Sequence, residues 1–150
     1  MKQPDEKSVL IICPELNLSN VLKRRCELAR YKTDIATSAS DALSKLDGLA
    51  RDVVALDIAT HVSAELAQNP LIQQYTRDFL ESFRKGDGYS GLVLVPVARG
   101  LNPRPAKIIV MSDRGDTSDL DIIDSCKLDQ FDPQYIAQPF DWQDFQRLMI

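Results

Sequence analysis

The sequence predicts one α/β domain: a doubly wound, five-stranded parallel sheet with an elaborated segment between its third and fourth strands. Three observations carry this. Residues 8–13 (SVLIIC) and 52–58 (DVVALDI) are almost continuously apolar rather than alternating, as strands buried on both faces are. Residues 106–112 (AKIIVMS) repeat the pattern. Helical patterns with short links separate the early strands, giving the order β-α-β-α-β, which builds a parallel sheet with helices on both faces.

The elements follow in order. After the first strand, Leu18, Leu22, Cys26 and Ala29 recur at helical spacing in LSNVLKRRCELARY, with Asn17 or Ser19 as a cap. Residues 33–37 (TDIAT) read as a short strand. Residues 40–48 (SDALSKLDG) read as a short helix, with Ser40 as a cap and Gly48 near its end. Residues 52–58 are the third strand. Asn69-Pro70 is a helix start, and Ile72, Tyr75, Phe79 and Phe83 mark one face through Arg84. KGDGYSG is a loop. Residues 92–98 (LVLVPVA) look strand-like, although Pro96 argues for an edge or a non-strand. RGLNPRP is a turn region, and residues 106–112 are a strong buried strand.

DTSDLDIIDSCKLD is an acidic helix candidate capped near Thr117, and PQYIAQPF holds a short strand. Asp141 caps a last helix with Trp142, Phe145 and Met149 on one side. That helix reaches Ile150 without a stop signal, as expected of the front domain of a longer chain.

The middle of the chain poses a topological problem. LVLVPVA in a hairpin with AKIIVMS would send Ser112 away from Asp57. Either LVLVPVA belongs to a loop, or a short helix over residues 62–68 changes the direction count.

Bulk properties exclude several classes. The 150 residues suit a single domain, 1–150, with an insertion at approximately 59–105. A net charge of -4 argues against a nucleic-acid surface. Three cysteines without a CxxC suggest neither a disulfide framework nor a zinc site, which fits a reduced, cytoplasmic setting. No apolar run approaches a membrane span, and the polar, acid-containing start is no signal peptide. No Gly-rich turn follows the first strand, which argues against a dinucleotide site.

In open parallel sheets, ligands sit beyond the carboxyl ends of the strands, where the strand order reverses. In the order 2-1-3-4-5 that point lies between strands one and three, which end here at Cys13-Pro14-Glu15 and at Asp57. Asp57 is either solvated at a strand end or part of a site. Other candidates have plainer readings. Cys13 reads better as a small buried hydrophobe than as a redox handle. His61 reads as a loop histidine rather than a base. Lys23, Arg24, Arg25, Arg30 and Lys32 form a solvated face or one that meets an acidic partner. Asp113, Asp116, Asp119, Asp121 and Asp124 crowd one region without EF-hand spacing.

The stretches VLIICPE, DVVALDI, KIIVMSD and YIAQPF, in that order, resemble the landmarks of the response-regulator receiver domain (CheY-like, flavodoxin-like fold). The resemblance is good through Ile58, poor over residues 59–105, and good again from Ala106. It implies that Asp57 is the phospho-acceptor, that Ser112 contacts the phosphoryl group, and that Gln138-Pro139 stands where the family keeps a Lys-Pro pair in its switch region. It also implies a cis bond before Pro139. The family's metal-binding acid pair falls on Cys13 and Pro14, with Glu15 beside them.

Phosphoryl transfer needs charge neutralised by a metal ion and a cation. A thiol is a poor Mg²⁺ ligand, proline offers none, and Gln138 carries no charge. Glu15 and Asp57 remain as weak Mg²⁺ candidates. The sequence therefore reads as an atypical receiver, or pseudo-receiver: not an enzyme, but a protein-interaction module in two-component-type signal transduction. No cofactor is expected, the partners are signalling proteins, and a homodimer is open to it. Output is expected through the fourth helix, fifth strand and fifth helix, or through the insertion. The alternative is a receiver with a degraded Mg²⁺ site that is still phosphorylated at Asp57. A phosphatase of the haloacid dehalogenase type is more remote, since it needs an Asp where Ala59 stands.

Overall fold

A computed structural model describes residues 7–46, 51–85, 87–100, 105–112, 131–138 and 140–150. Strands β1 (Lys7–Ile12), β2 (Tyr31–Ala36) and β3 (Val53–Asp57) alternate with helices α1 (Leu16–Leu28) and α2 (Ala39–Leu46). Strands β7 (Lys107–Ser112) and β8 (Gln134–Ala137) complete a sheet of order β2-β1-β3-β7-β8, parallel throughout. Renumbered within the sheet, this is the expected 2-1-3-4-5. Helix α5 (Trp142–Met149) closes the chain.

Strand alternation sorts the core into two layers. Leu10, Ile12, Val54, Leu56, Ile108 and Val110 face one side, beneath α2 and the insertion. Val9, Ile11, Cys13, Val53, Ala55, Ile109 and Met111 face the other, against Leu22 and Cys26 of α1 and Phe145 and Met149 of α5. Both faces of the central strands are therefore covered, which is why their sequences do not alternate in polarity. Trp142 is only partly buried, and its ring lies 5.7 Å from that of Phe145.

The insertion departs from three expectations. LVLVPVA is no strand: it forms a 3₁₀ turn, Gly91–Val93, followed by helix α4 (Leu94–Gly100). A run of seven apolar residues fits either element, and tertiary context decides. β7 lies parallel to β3, so the chain must return to the foot of the sheet before β7 begins, and α4 makes that return. Pro96 sits in the first turn of α4, where its missing N–H costs nothing. This removes the topological difficulty and sets β7 running alongside β3. The helix expected through Arg84 also stops early, α3 spanning Pro70–Thr76 and a 3₁₀ turn covering Leu80–Phe83. Residues 62–68 hold strand β4 (Val62–Ser63) and a 3₁₀ turn, Leu66–Gln68, instead of a helix. β4 joins β5 (Arg84–Lys85) and β6 (Gly88–Tyr89) in a small antiparallel sheet of order β4-β6-β5.

Cap assignments shift as well. Glu15, not Asn17 or Ser19, caps α1, accepting from Asn17 N at 3.0 Å and Leu18 N at 2.8 Å. Ser38 rather than Ser40 caps α2, accepting from Asp41 N at 3.1 Å. Asn69 caps α3 as expected, accepting from Leu71 N at 2.9 Å. Asp141 occupies the cap position of α5, where its carbonyl rather than its carboxylate accepts, from Asp144 N at 3.1 Å. The acidic helix candidate around Thr117, the aspartates at 113–124, Gly48 and Pro139 lie outside the described residues. No helix among the described residues is long and apolar enough to cross a membrane.

Candidate functional site at the carboxyl ends of β1 and β3

The register of β1 against β3 pairs Ile12 with Leu56. One step further it sets Cys13 opposite Asp57, and both side chains leave the sheet on the α1–α5 face. Cys13 is fully buried and Asp57 is 5% exposed. The Cys13 thiol has two acceptors in reach, Asp57 Oδ2 at 3.4 Å and Glu15 O at 3.6 Å, and Ala59 N donates to Asp57 Oδ1 at 2.9 Å. Each carboxylate oxygen thus has one donor in reach among the described residues. The backbone holds the loop in place, since Thr60 N donates to Asp57 O and Ile58 N to Met111 O, each at 3.0 Å.

Burial pushes the Cys13 thiol up to about 11, and the nearby Asp57 carboxylate pushes in the same direction. At neutral pH the sulfur is therefore a neutral S–H, a hydrogen-bond donor. The Cys13 carbonyl accepts from Ser19 Oγ at 3.0 Å, which ties the strand end to α1.

The remaining sequence candidates divide. Pro14 is exposed and has no ligand atom in its side chain. Glu15 has both carboxylate oxygens engaged at the N-terminus of α1, an arrangement the helix dipole favours. Ser112 ends β7, one residue past Met111, the register partner of Asp57. Gln138 N donates to Ser112 O at 2.7 Å, so the ends of β7 and β8 are joined at this level. The Gln138 side chain carries a buried Nε2 without a hydrogen-bond partner among the described residues. His61 is exposed and lies beside Gly88. Among the described residues no group of three or more His, Cys, Asp or Glu side chains is placed to hold a metal ion.

Two residues at the site escape sequence reasoning. Thr60 is 1% exposed, and its Oγ1 has no partner among the described residues. Gly91 presses on the same loop: a Cβ there would lie 2.7 Å from Thr60 O and 3.2 Å from Asp57 O. Gly91 is required by this close approach, and no local pattern distinguishes it from an ordinary loop glycine.

The residues present do not fit the Mg²⁺ ion that the fold implies. Mg²⁺ takes hard oxygen ligands, and among the described residues Asp57 is the one carboxylate directed at this point, with a neutral thiol beside it.

No family model matches the chain, and no curated protein is similar to it in sequence. Solved structures are similar in fold. A CheY-like response regulator receiver domain protein from Methanospirillum hungatei JF-1 shares 16% identity at TM-score 0.62, covering 95% of this chain and 90% of that one. A Burkholderia pseudomallei response regulator, solved with a phosphorylated aspartic acid, calcium ion and citrate, shares 16% identity at TM-score 0.61 over 97% of this chain and 67% of that one. An adenylate cyclase from Rhodopirellula baltica shares 14% identity at TM-score 0.64 over 96% of this chain and 84% of that one. Such different names on one architecture show that fold alone does not fix activity. The chain has the fold of the response-regulator receiver domain, with an elaborated crossover between the third and fourth strands of its sheet.

Proposed function

We propose that the chain is a pseudo-receiver: a non-catalytic protein-interaction module of two-component-type signalling that works without metal-assisted phosphorylation of Asp57. The hydrogen bond from the Cys13 thiol to Asp57 Oδ2 carries this reading. Phosphoryl transfer to a carboxylate requires charge neutralisation around the transferred group. At this strand end the chain supplies a neutral S–H, a proline and a carboxylate consumed by a helix cap. Gln138, where the family's lysine would stand, contributes an uncharged amide.

A surface supports the interaction half of the reading. On α1, Val21 and Leu28 are 57% and 72% exposed, and with Arg24 and Arg25 they line a shallow cleft of about 360 Å³. A basic, partly apolar face on a chain of net charge -4 suits an acidic protein partner, whether another signalling protein or a second copy.

Intact-mass analysis after incubation with Mg²⁺ and a small phosphoryl donor, beside Asp57→Asn, tests the proposal. No added phosphoryl mass on the folded protein is expected. Added mass that Asp57→Asn lacks would overturn the proposal and make Asp57 a phospho-acceptor.

A further inference from the structure

We propose that the insertion is a transmission element: residues 91–100 form a strut that couples the Asp57–Thr60 loop to the segment leading into β8. The strut is a 3₁₀ turn followed by α4, with Gly91 against the loop that follows β3 and Arg99 on the approaches to β7 and β8. It therefore reaches from one end of the sheet to the other.

Its upper end is locked. Gly91 touches the backbone of Thr60 and Asp57 so closely that not even a methyl group fits between them. Its middle is buried on all sides, with Leu92, Val93, Leu94, Val95, Val97 and Ala98 each at most 1% exposed. A packed interior of this kind has low compressibility and passes displacement on rather than absorbing it.

Its lower end is locked by one side chain. Arg99 donates from Nε to Phe131 O at 2.8 Å, from Nη1 to Pro105 O at 2.8 Å and from Nη2 to Asp132 O at 3.3 Å. The rigid guanidinium fork thus gathers the approaches to β7 and β8 into one joint. Asp132 has φ 53°, a left-handed conformation that the joint helps to hold. Phe131 is gripped a second time, its ring centroid 6.4 Å from that of Phe79 in the insertion. A shift of the Asp57–Thr60 loop accordingly reaches β8, the edge strand, where Tyr135 is 41% exposed. The coupling needs no phosphoryl group, so it goes beyond the pseudo-receiver reading, and its failure would leave that reading untouched.

Amide hydrogen exchange of the whole chain tests the strut from both ends. Gly91→Ala drives a methyl into the Thr60 carbonyl. It is expected to speed exchange in β8 and at Gln138 N by a factor of about 2 to 30 beyond any change in β2, which reports global opening. Adding Arg99→Met should abolish that excess in the double variant relative to Arg99→Met alone. In the reverse direction, Arg99→Lys keeps the charge but loses the fork, and should speed exchange at Ala59 N and Thr60 N by a similar excess over β2. This arm decides the matter should Gly91→Ala fail to fold. Changes confined to the substituted end, or equal in β2 and β8, would overturn the proposal.

Discussion

The Cys13 thiol and the Asp57 carboxylate meet across the ends of β1 and β3, with Sγ 3.4 Å from Oδ2. The sulfur can satisfy one oxygen of Asp57 without adding charge. The carboxylate's other oxygen is held by Ala59 N.

Replacing that sulfur should change the ion chemistry of the site. Cys13→Asp places a second carboxylate against Asp57, and the two charges repel unless a cation joins them. The variant is expected to melt lower than the parent without metal and to regain about 1–3 kcal/mol in saturating Mg²⁺. Thermal melts with and without Mg²⁺ check this. An equal Mg²⁺ effect on the unsubstituted protein would contradict the reading of Cys13 as a block.

Two buried thiols, Cys13 and Cys26, set an alkaline limit to stability. Burial holds Cys13 up at about 11 and Cys26 at about 12, against an ordinary value of 9.0. A raised thiol value means the folded state disfavours the thiolate. The stabilisation is therefore complete below pH 9.0 and is lost as pH rises from there toward about 11 and 12. Denaturant melts from pH 7 to 11 should show this loss above pH 9, and Cys26→Ala should roughly halve its slope there. At neutral pH neither thiol should react with a disulfide reagent until the protein unfolds. Rapid labelling of Cys13 or Cys26 in the native protein would contradict their placement.

The insertion should unfold with the sheet rather than before it. Phe83 of the insertion is fully buried in the same cluster as Leu10, Val54 and Ile108. Phe83→Ala is expected to cost about 3–5 kcal/mol, the same range as Phe145→Ala beneath the opposite face. Urea denaturation measures both. A cost below about 1 kcal/mol at Phe83, against a full cost at Phe145, would mark the insertion as a separate, weakly attached unit.

Several features were legible in the residues alone. Residues 8–13, 52–58 and 106–112 announced central strands because a strand covered on both faces has no polar side to show. Asp57 stood out because a carboxylate closing such a run must lie at its end. The absence of an acid at positions 13 and 14 needed no structure to see.

Other features depended on atoms distant in the chain. LVLVPVA satisfies both helix and strand by composition, and it became a helix because β3 and β7 are parallel neighbours that require a return path. Glu15 looked free for a cation, but the geometry at the start of α1 turned its carboxylate onto two backbone N–H groups. The contact of Cys13 with Asp57 follows from the register between β1 and β3, which neither strand specifies by itself. Gly91 and Arg99 carried no signal, because what matters about each is the backbone it touches: Thr60, 31 residues away from Gly91, and Phe131, 32 residues away from Arg99. The sequence by itself determined which segments are buried and which residue types stand at the strand ends, since hydrophobicity and residue type are local properties. Tertiary structure alone decided which residues meet at Asp57 and how the insertion spans the sheet, since register and close approach arise only when separate segments pack together.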